Sequence, residues 1–266
     1  MTKAGKSIKH LVPFDDLRQW IDEADKLGEL RRVQGATWQE DIGLAAELLQ
    51  HDEKAPTALF DQIPGVPAGN RILVNLLGGR RMNMTLGFPT DLSKFELSRA
   101  FLDFYRERSA KPIPYEVVEK GSVLENIMMG DDVDITKFPT PLWHEADGGR
   151  YIGTGSYNVT QDPDTGWINA GTYRVMMHDA KSVGFYISPG KHGRIHRDKY
   201  MAAGKPMPVC IVIGGDPLLF LMTSTELAQD ICEYDVAGAL RGKPVQVVKG
   251  KITGLPFPAN AEIVLE

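Results

Sequence analysis

Trp167-Ile168-Asn169-Ala170-Gly171-Thr172-Tyr173-Arg174-Val175-Met176-Met177-His178 alternates polar residues with apolar or β-branched ones, the two-residue period of a strand buried on one face. Two neighbouring runs, Tyr151 to Thr160 and Ser182 to Ile187, read the same way. The links between them, Asp162-Pro163-Asp164-Thr165-Gly166 and His178-Asp179-Ala180-Lys181, are rich in the residues that close tight turns. A β-meander is therefore expected. Farther on, Val209 to Ile213, Val245 to Ile252 and Glu262 to Leu265 read as strands, and a helix is expected from about Glu226 to Leu240, ending at Gly242. Several antiparallel strands with one helix packed among them favour a barrel-like sheet over a doubly wound parallel one.

Upstream the texture differs. Phe14, Leu17, Ile21, Ala24 and Leu27 recur at spacings of three and four before Gly28, which predicts an amphipathic helix and its stop. Ile42, Ala45, Ala46 and Leu49 mark a second helix, and Phe95, Leu97, Phe101, Phe104 and Tyr105 a third. Between these lie two strand-length apolar segments, Ala58-Leu59-Phe60 and Ile72 to Leu77. Aromatic and leucine positions here are read as core. Pro112, Pro114, Pro139 and Pro141 bracket the acidic run Asp131-Asp132-Val133-Asp134. That run lacks the Gly and terminal Glu of a calcium loop and reads as a solvated turn. The expected organisation is α+β: a small α/β domain over 1–110, a connecting segment over 111–145 and a β domain over 146–266.

The 266 residues, 42% of them hydrophobic, suffice for one large core or two modest ones, and two domains are expected. The net charge of −5, from 35 acidic and 30 basic residues, offers no basic face for nucleic acid. No apolar run approaches a membrane span, and no signal-peptide core follows Met1-Thr2-Lys3-Ala4-Gly5-Lys6, so a cytoplasmic protein is expected. Cys210 and Cys232 lack the spacing of a zinc site, and Cys210, within an apolar run, reads as a buried thiol.

No Gly-x-Gly-x-x-Gly follows a strand and no Gly-x-Ser-x-Gly elbow occurs, which gives a dinucleotide fold or a serine hydrolase no support. A scattered set remains: Asn169, Arg174, His192 and Glu233. An amide oxygen, an imidazole and a carboxylate make a plausible shell for Mg²⁺ or Mn²⁺. On spacing alone such a trio is coincidence more often than not. His10, His51, His144, His178 and His196 are assigned no role, and His196 is expected to face solvent on a short helix.

Three words carry more weight than the spacing. Trp167 to Arg174, Ser188-Pro189-Gly190-Lys191-His192, and Glu233-Tyr234-Asp235-Val236-Ala237-Gly238-Ala239-Leu240-Arg241-Gly242 resemble, in order and separation, the flavin-binding core of the UbiD decarboxylases. The similarity runs from about Phe14 to the last residue. The resemblance implies a split barrel of the flavin-reductase type, truncated before its last strands, and a carboxy-lyase acting reversibly on an aromatic or α,β-unsaturated acid. It implies prenylated FMN as cofactor, with a flavin prenyltransferase as its supplier, and a homo-oligomer. Asn169, His192 and Glu233 match ligands of a Mn²⁺ or Mg²⁺ ion that grips the flavin phosphate, with K⁺ near the same Glu. Gly171, Thr172, Tyr173, Lys191, Thr223 and Ser224 match positions lining the flavin, though the turn Thr223-Ser224-Thr225 departs from relatives with Ser, Met and Pro there. Arg174 matches the catalytic arginine, whose planar fork suits a carboxylate. In the family the strand matching Ile263 to Glu266 is followed by an acidic segment that exchanges a proton with the substrate carbon, so activity from these 266 residues is not expected. An inactive or partner-dependent flavin-binding fragment and a flavin reductase are the alternative readings. The metal trio argues against the reductase.

Overall fold

The computed structural model describes residues 10–153 and 155–266; the N-terminal stretch read for a signal peptide lies outside them. Helix α1 (Leu17–Lys26) starts where the Asp16 carboxylate accepts the Gln19 N–H and buries Trp20, Ile21 and Ala24 at helical spacing. Gly28, at φ +74°, turns the chain out of it. Strand β1 (Leu30–Gln34), helix α2 (Asp41–Gln50) and strand β2 (Thr57–Asp61) form a parallel crossover, and strand β3 (Ile72–Val74) adds antiparallel to β2. Helices α3 (Gly79–Thr85) and α4 (Lys94–Ser109) follow, the second opened by a capping box between Ser93 and Glu96.

The three helices and two strands expected in this region are present, but β1 and α3 escaped the sequence reading. In β1, Arg31, Arg32 and Gln34 interrupt the apolar signal. Phe95, expected in the core, is 76% exposed in the first turn of α4, whereas Leu97 turns inward.

The second half comprises β4 (Glu116–Val117), β5 (Ser156–Gln161), β6 (Ile168–Gly171), β7 (Arg174–Met177), β8 (Val183–Tyr186), α5 (His192–Ala202), β9 (Cys210–Ile213), α6 (Pro217–Thr223), α7 (Glu233–Arg241), β10 (Gln246–Lys249), β11 (Pro256–Pro258) and β12 (Ile263–Leu265). The expected meander is broken. The run from Trp167 to His178 divides at Thr172-Tyr173, so β6 joins a four-stranded sheet in the order β12-β9-β5-β6 while β7 pairs with β8 alone. The helix expected from Glu226 starts at Glu233, because Asp230 takes a left-handed backbone (φ +66°) that no α-helix accommodates. It ends, as expected, on Gly242. Three helices are interleaved with these strands instead of one, and α6 is signalled by Asp216-Pro217, a capping acid before a proline at the first helical position. The described strands fall into four small sheets, so the fold is mixed α+β without a closed barrel among the described residues.

The acidic turn is solvated, with Asp131 paired to Lys181 at 2.9 Å. One buried cluster runs from Phe14 and Trp20 through Tyr157 and Val212 to Tyr234, Leu240 and Val247, and a smaller one under the first sheet joins Ile42, Phe60 and Val74. Cys210 is fully buried within the larger cluster. Burial of each such large apolar side chain stabilises by about 1.5–3 kcal/mol. Arg241, at the end of α7, fastens the N-terminal residues to this body: it pairs with buried Asp216 and donates to the Phe14 carbonyl at 2.6 Å and to Asp15 at 3.1 Å. No helix among the described residues is long and apolar enough to cross a membrane.

Candidate active site

Strands β5 and β6 run antiparallel with Thr160 opposite Asn169 and Asn158 opposite Gly171. This register buries Asn169 (2% exposed) and sets its amide beside the Thr160 hydroxyl, Nδ2 to Oγ1 at 3.3 Å. The same Nδ2 donates to the Tyr173 hydroxyl at 3.0 Å, and the Gly193 backbone N–H donates to that hydroxyl, also at 3.0 Å. One phenol oxygen thus ties β6 to the first turn of α5. Glycine is required on both sides of it: a Cβ at Gly171 would lie 2.5 Å from the Tyr173 oxygen, and one at Gly193 2.7 Å.

His192 opens α5, half-buried, with Trp167 edge-on at 4.8 Å between ring centres. Burial lowers its pKa, which favours the neutral imidazole that metals bind. The Trp167 indole donates to the Ile231 carbonyl at 3.2 Å and so anchors the loop that leads into α7. Glu233 is the first residue of α7 and 3% exposed, its Oε2 accepting the Ala170 N–H at 2.8 Å. Burial pushes its pKa up to about 7, with hydrogen bonds from the Ala170 and Glu233 N–H groups acting against the rise and no cationic side chain offsetting it. Asn169, His192 and Glu233 therefore converge through direct contacts of their immediate neighbours.

The remaining predicted residues sit around this centre. Thr172 donates its N–H to the Thr223 carbonyl at 3.2 Å, which brings the β6–β7 link against the end of α6. The Thr223 and Ser224 hydroxyls both donate back to the Phe220 carbonyl. Lys191 is exposed and 3.3 Å from Glu226. Arg174, the residue after Tyr173, is exposed at the start of β7, opposite Tyr186.

His196 corrects the sequence reading. Expected in solvent, it is fully buried, with Nδ1 2.9 Å from the Thr160 hydroxyl and Trp167 edge-on at 5.0 Å. Burial drives its pKa down to about 4. The one available signal was position: His196 lies one helical turn after His192 and so shares its face. Helix α5 otherwise reads as polar, HGRIHRDKYMA, and offers no apolar stripe to reveal which side is inward. Thr160 and Asp162 were likewise missed.

The donor set suits a hard divalent cation. Asn169 contributes an amide, His192 a ring held neutral, and Glu233 a buried carboxylate whose ionised form lacks a protein cation. A cavity of about 1140 Å³ lies elsewhere, walled by apolar residues including Ile127, Met128, Phe138, Phe185, Ile211 and Val264.

A family model described as UbiD, the 3-octaprenyl-4-hydroxybenzoate carboxy-lyase Rift-related domain, matches residues 116–266. The pyrrole-2-carboxylic acid decarboxylase of Pseudomonas aeruginosa is 34% identical over 257 residues, covering 94% of this chain and 52% of that protein. The phenolic acid decarboxylase of Streptomyces sp. (strain D7) is 31% identical over 264 residues, covering 96% and 54%. Among solved structures, the closed form of the vanillic acid decarboxylase of Sedimentibacter hydroxybenzoicus superposes with a TM-score of 0.87 at 29% identity, covering 95% of this chain and 54% of that one. An evolved dimeric form of the UbiD-class enzyme HmfF from Pelotomaculum thermopropionicum, in complex with prFMN, gives 0.83 at 25% identity, covering 94% and 56%. The chain spans about half the length of the relatives it matches.

Proposed function

The chain belongs to the UbiD family, and from that premise we propose that Asn169, His192 and Glu233 hold a Mn²⁺ or Mg²⁺ ion, with K⁺ near Glu233, in the flavin site of a reversible decarboxylase of aromatic or α,β-unsaturated acids. The observation that carries this reading is the state of Glu233, a buried carboxylate with no cation of its own among the described residues, bound to the residue that follows Asn169. The ion would neutralise the phosphate of prenylated FMN. When bound, that cofactor supplies the electron sink into which the bond to CO₂ is released. The chain's own residues bind and orient. Gly171, Thr172, Tyr173, Lys191, Thr223 and Ser224 line the flavin. Arg174, exposed and charged at the edge of the site, receives the substrate carboxylate in its guanidinium fork.

The same reading includes a division near residues 110–145, a split barrel formed by the strands after it, a homo-oligomer, a cytoplasmic setting and a flavin prenyltransferase as source of the cofactor. The test loads the chain with prenylated FMN and Mn²⁺ and follows flavin retention and CO₂ release from cinnamate-like and aromatic acids. His192→Ala and Glu233→Ala are each expected to lose the flavin. Retention in both would remove the ion from the reading. Flavin and ion bound with no CO₂ released is the outcome expected of these 266 residues by themselves and favours a flavin-binding fragment completed by further polypeptide, whereas turnover well above a flavin-only blank would place a proton donor within residues 1–266.

A further inference from the structure

His196 is fully buried, and its Nε2 has no hydrogen-bond partner among the described residues; the Asp162 carboxylate lies 3.9 Å away. Asp162 is itself buried and held in place by Lys199 at 2.7 Å and by the Asp164 and Thr165 N–H groups. On the other side, Nδ1 meets the Thr160 hydroxyl at 2.9 Å, and that hydroxyl meets Asn169 Nδ2 at 3.3 Å. Four side chains therefore form one line from Asp162 to Asn169.

The Thr160 hydroxyl has a single hydrogen, so the line can be occupied in two ways. With the proton of His196 on Nδ1, the ring donates to Thr160, the Thr160 hydrogen is released for donation onward, and it finds an acceptor on this line when the Asn169 amide turns its oxygen inward. With the proton on Nε2, Thr160 donates to the bare Nδ1, and the Asn169 NH₂ must face inward to donate to Thr160 and Tyr173. The first arrangement points the Nε2 lone pair at the Asp162 carboxylate, which is repulsive. The second points N–H at it, which is attractive. Burial also keeps the ring neutral, as its pKa near 4 requires, so one nitrogen is always bare at neutral pH.

We infer that Asp162, His196 and Thr160 are positioning residues: the Nε2–H tautomer selected by Asp162 makes Thr160 donate to His196, which commits the Asn169 NH₂ to the protein and leaves its Oδ1 for the cation. The inference rests on the metal reading above and deepens it, because an amide presented the other way round would offer a hard cation two hydrogens in place of a lone pair.

Histidine-selective ¹⁵N NMR of the chain reads the tautomer directly, and Mn²⁺ titration in the presence of FMN, followed by electron paramagnetic resonance, reads the affinity. His196 is expected to carry its proton on Nε2. Thr160→Val and Asn169→Ala are each expected to weaken Mn²⁺ binding by about 10-fold or more, and Thr160→Ser to restore it. Asp162→Asn, which keeps an oxygen for the two turn N–H groups, is expected to raise the share of the Nδ1–H form and weaken Mn²⁺ in step; it decides the matter if Thr160→Val does not fold. A proton on Nδ1 in the unaltered chain, or Mn²⁺ binding untouched in Thr160→Val and Asp162→Asn while Asn169→Ala loses it, would overturn the relay and leave the metal site standing. Undiminished Mn²⁺ binding in Asn169→Ala would overturn both.

Discussion

Two buried carboxylates, Asp216 capping α6 and Glu233 opening α7, have been given opposite treatment. Asp216 is 5% exposed and Glu233 3%, and burial raises the pKa of both. Asp216 meets the guanidinium of Arg241 and accepts the Leu218 N–H at 2.9 Å, so its charge is matched inside the protein. Among the described residues Glu233 has backbone N–H groups and the like charge of Asp235 for company, but no cation. A matched charge serves the fold. An unmatched one must either hold a proton or take a cation from elsewhere when it ionises.

The strongest way to break the contrast is to unmatch Asp216. Arg241→Met leaves a buried carboxylate unpaired and also frees Phe14 and Asp15, so a loss of about 3–5 kcal/mol is expected, measured as a fall in the urea midpoint at constant slope. An unchanged midpoint would mean that the pair contributes nothing to the fold.

At Glu233 the effect should follow pH. Its folded pKa of about 7 lies above the ordinary 4.5, so the folded chain holds a proton that the unfolded chain has released. Stability from this group is full below about pH 4.5, falls as pH rises through 7, and is lost above it, a change of about 3 kcal/mol. Urea melts of the metal-free chain between pH 5 and 8.5 should show that decline. Glu233→Gln should abolish it, and saturating Mn²⁺ with FMN should remove it by favouring the ionised form. A decline of equal size in Glu233→Gln would place its origin in another group.

Smaller effects sharpen the picture around Tyr173. Gly193→Ala pushes a methyl group against its ring and hydroxyl, for an expected cost of about 1–3 kcal/mol with weaker Mn²⁺ retention in the same titration. A melt indistinguishable from the parent's would show that the ring yields freely. Lys191→Ala removes only an exposed pair with Glu226 and should change the thermal midpoint by the equivalent of less than ~1 kcal/mol. A larger drop would reveal a structural role that its geometry does not suggest.

Much of this was legible in the chain. Periodicity placed α1, α2, α4 and the apolar strands because each has a face the core must cover, and the three motif words singled out Asn169, His192 and Glu233 as candidates. Three things were not legible. The strand break at Thr172-Tyr173 preserves the polar and apolar alternation while changing the sheet partner, and partners are tertiary facts. Helix α5 buries a histidine on a polar face, so composition pointed His196 outward. The tie among Asn169, Tyr173 and Gly193 spans residues whose proximity arises only when α5 docks on β6.

The placement of Trp167 gives this chain an optical handle at its most informative point. Its indole touches both His192 and His196, whereas Trp20 is fixed to Thr85 and Trp143 to the Tyr151 carbonyl, apart from the site. A bound flavin absorbs where the emission of an indole falls. A variant with Trp167 as its sole fluorophore would therefore report occupancy of the centre in real time, without a label and without turnover.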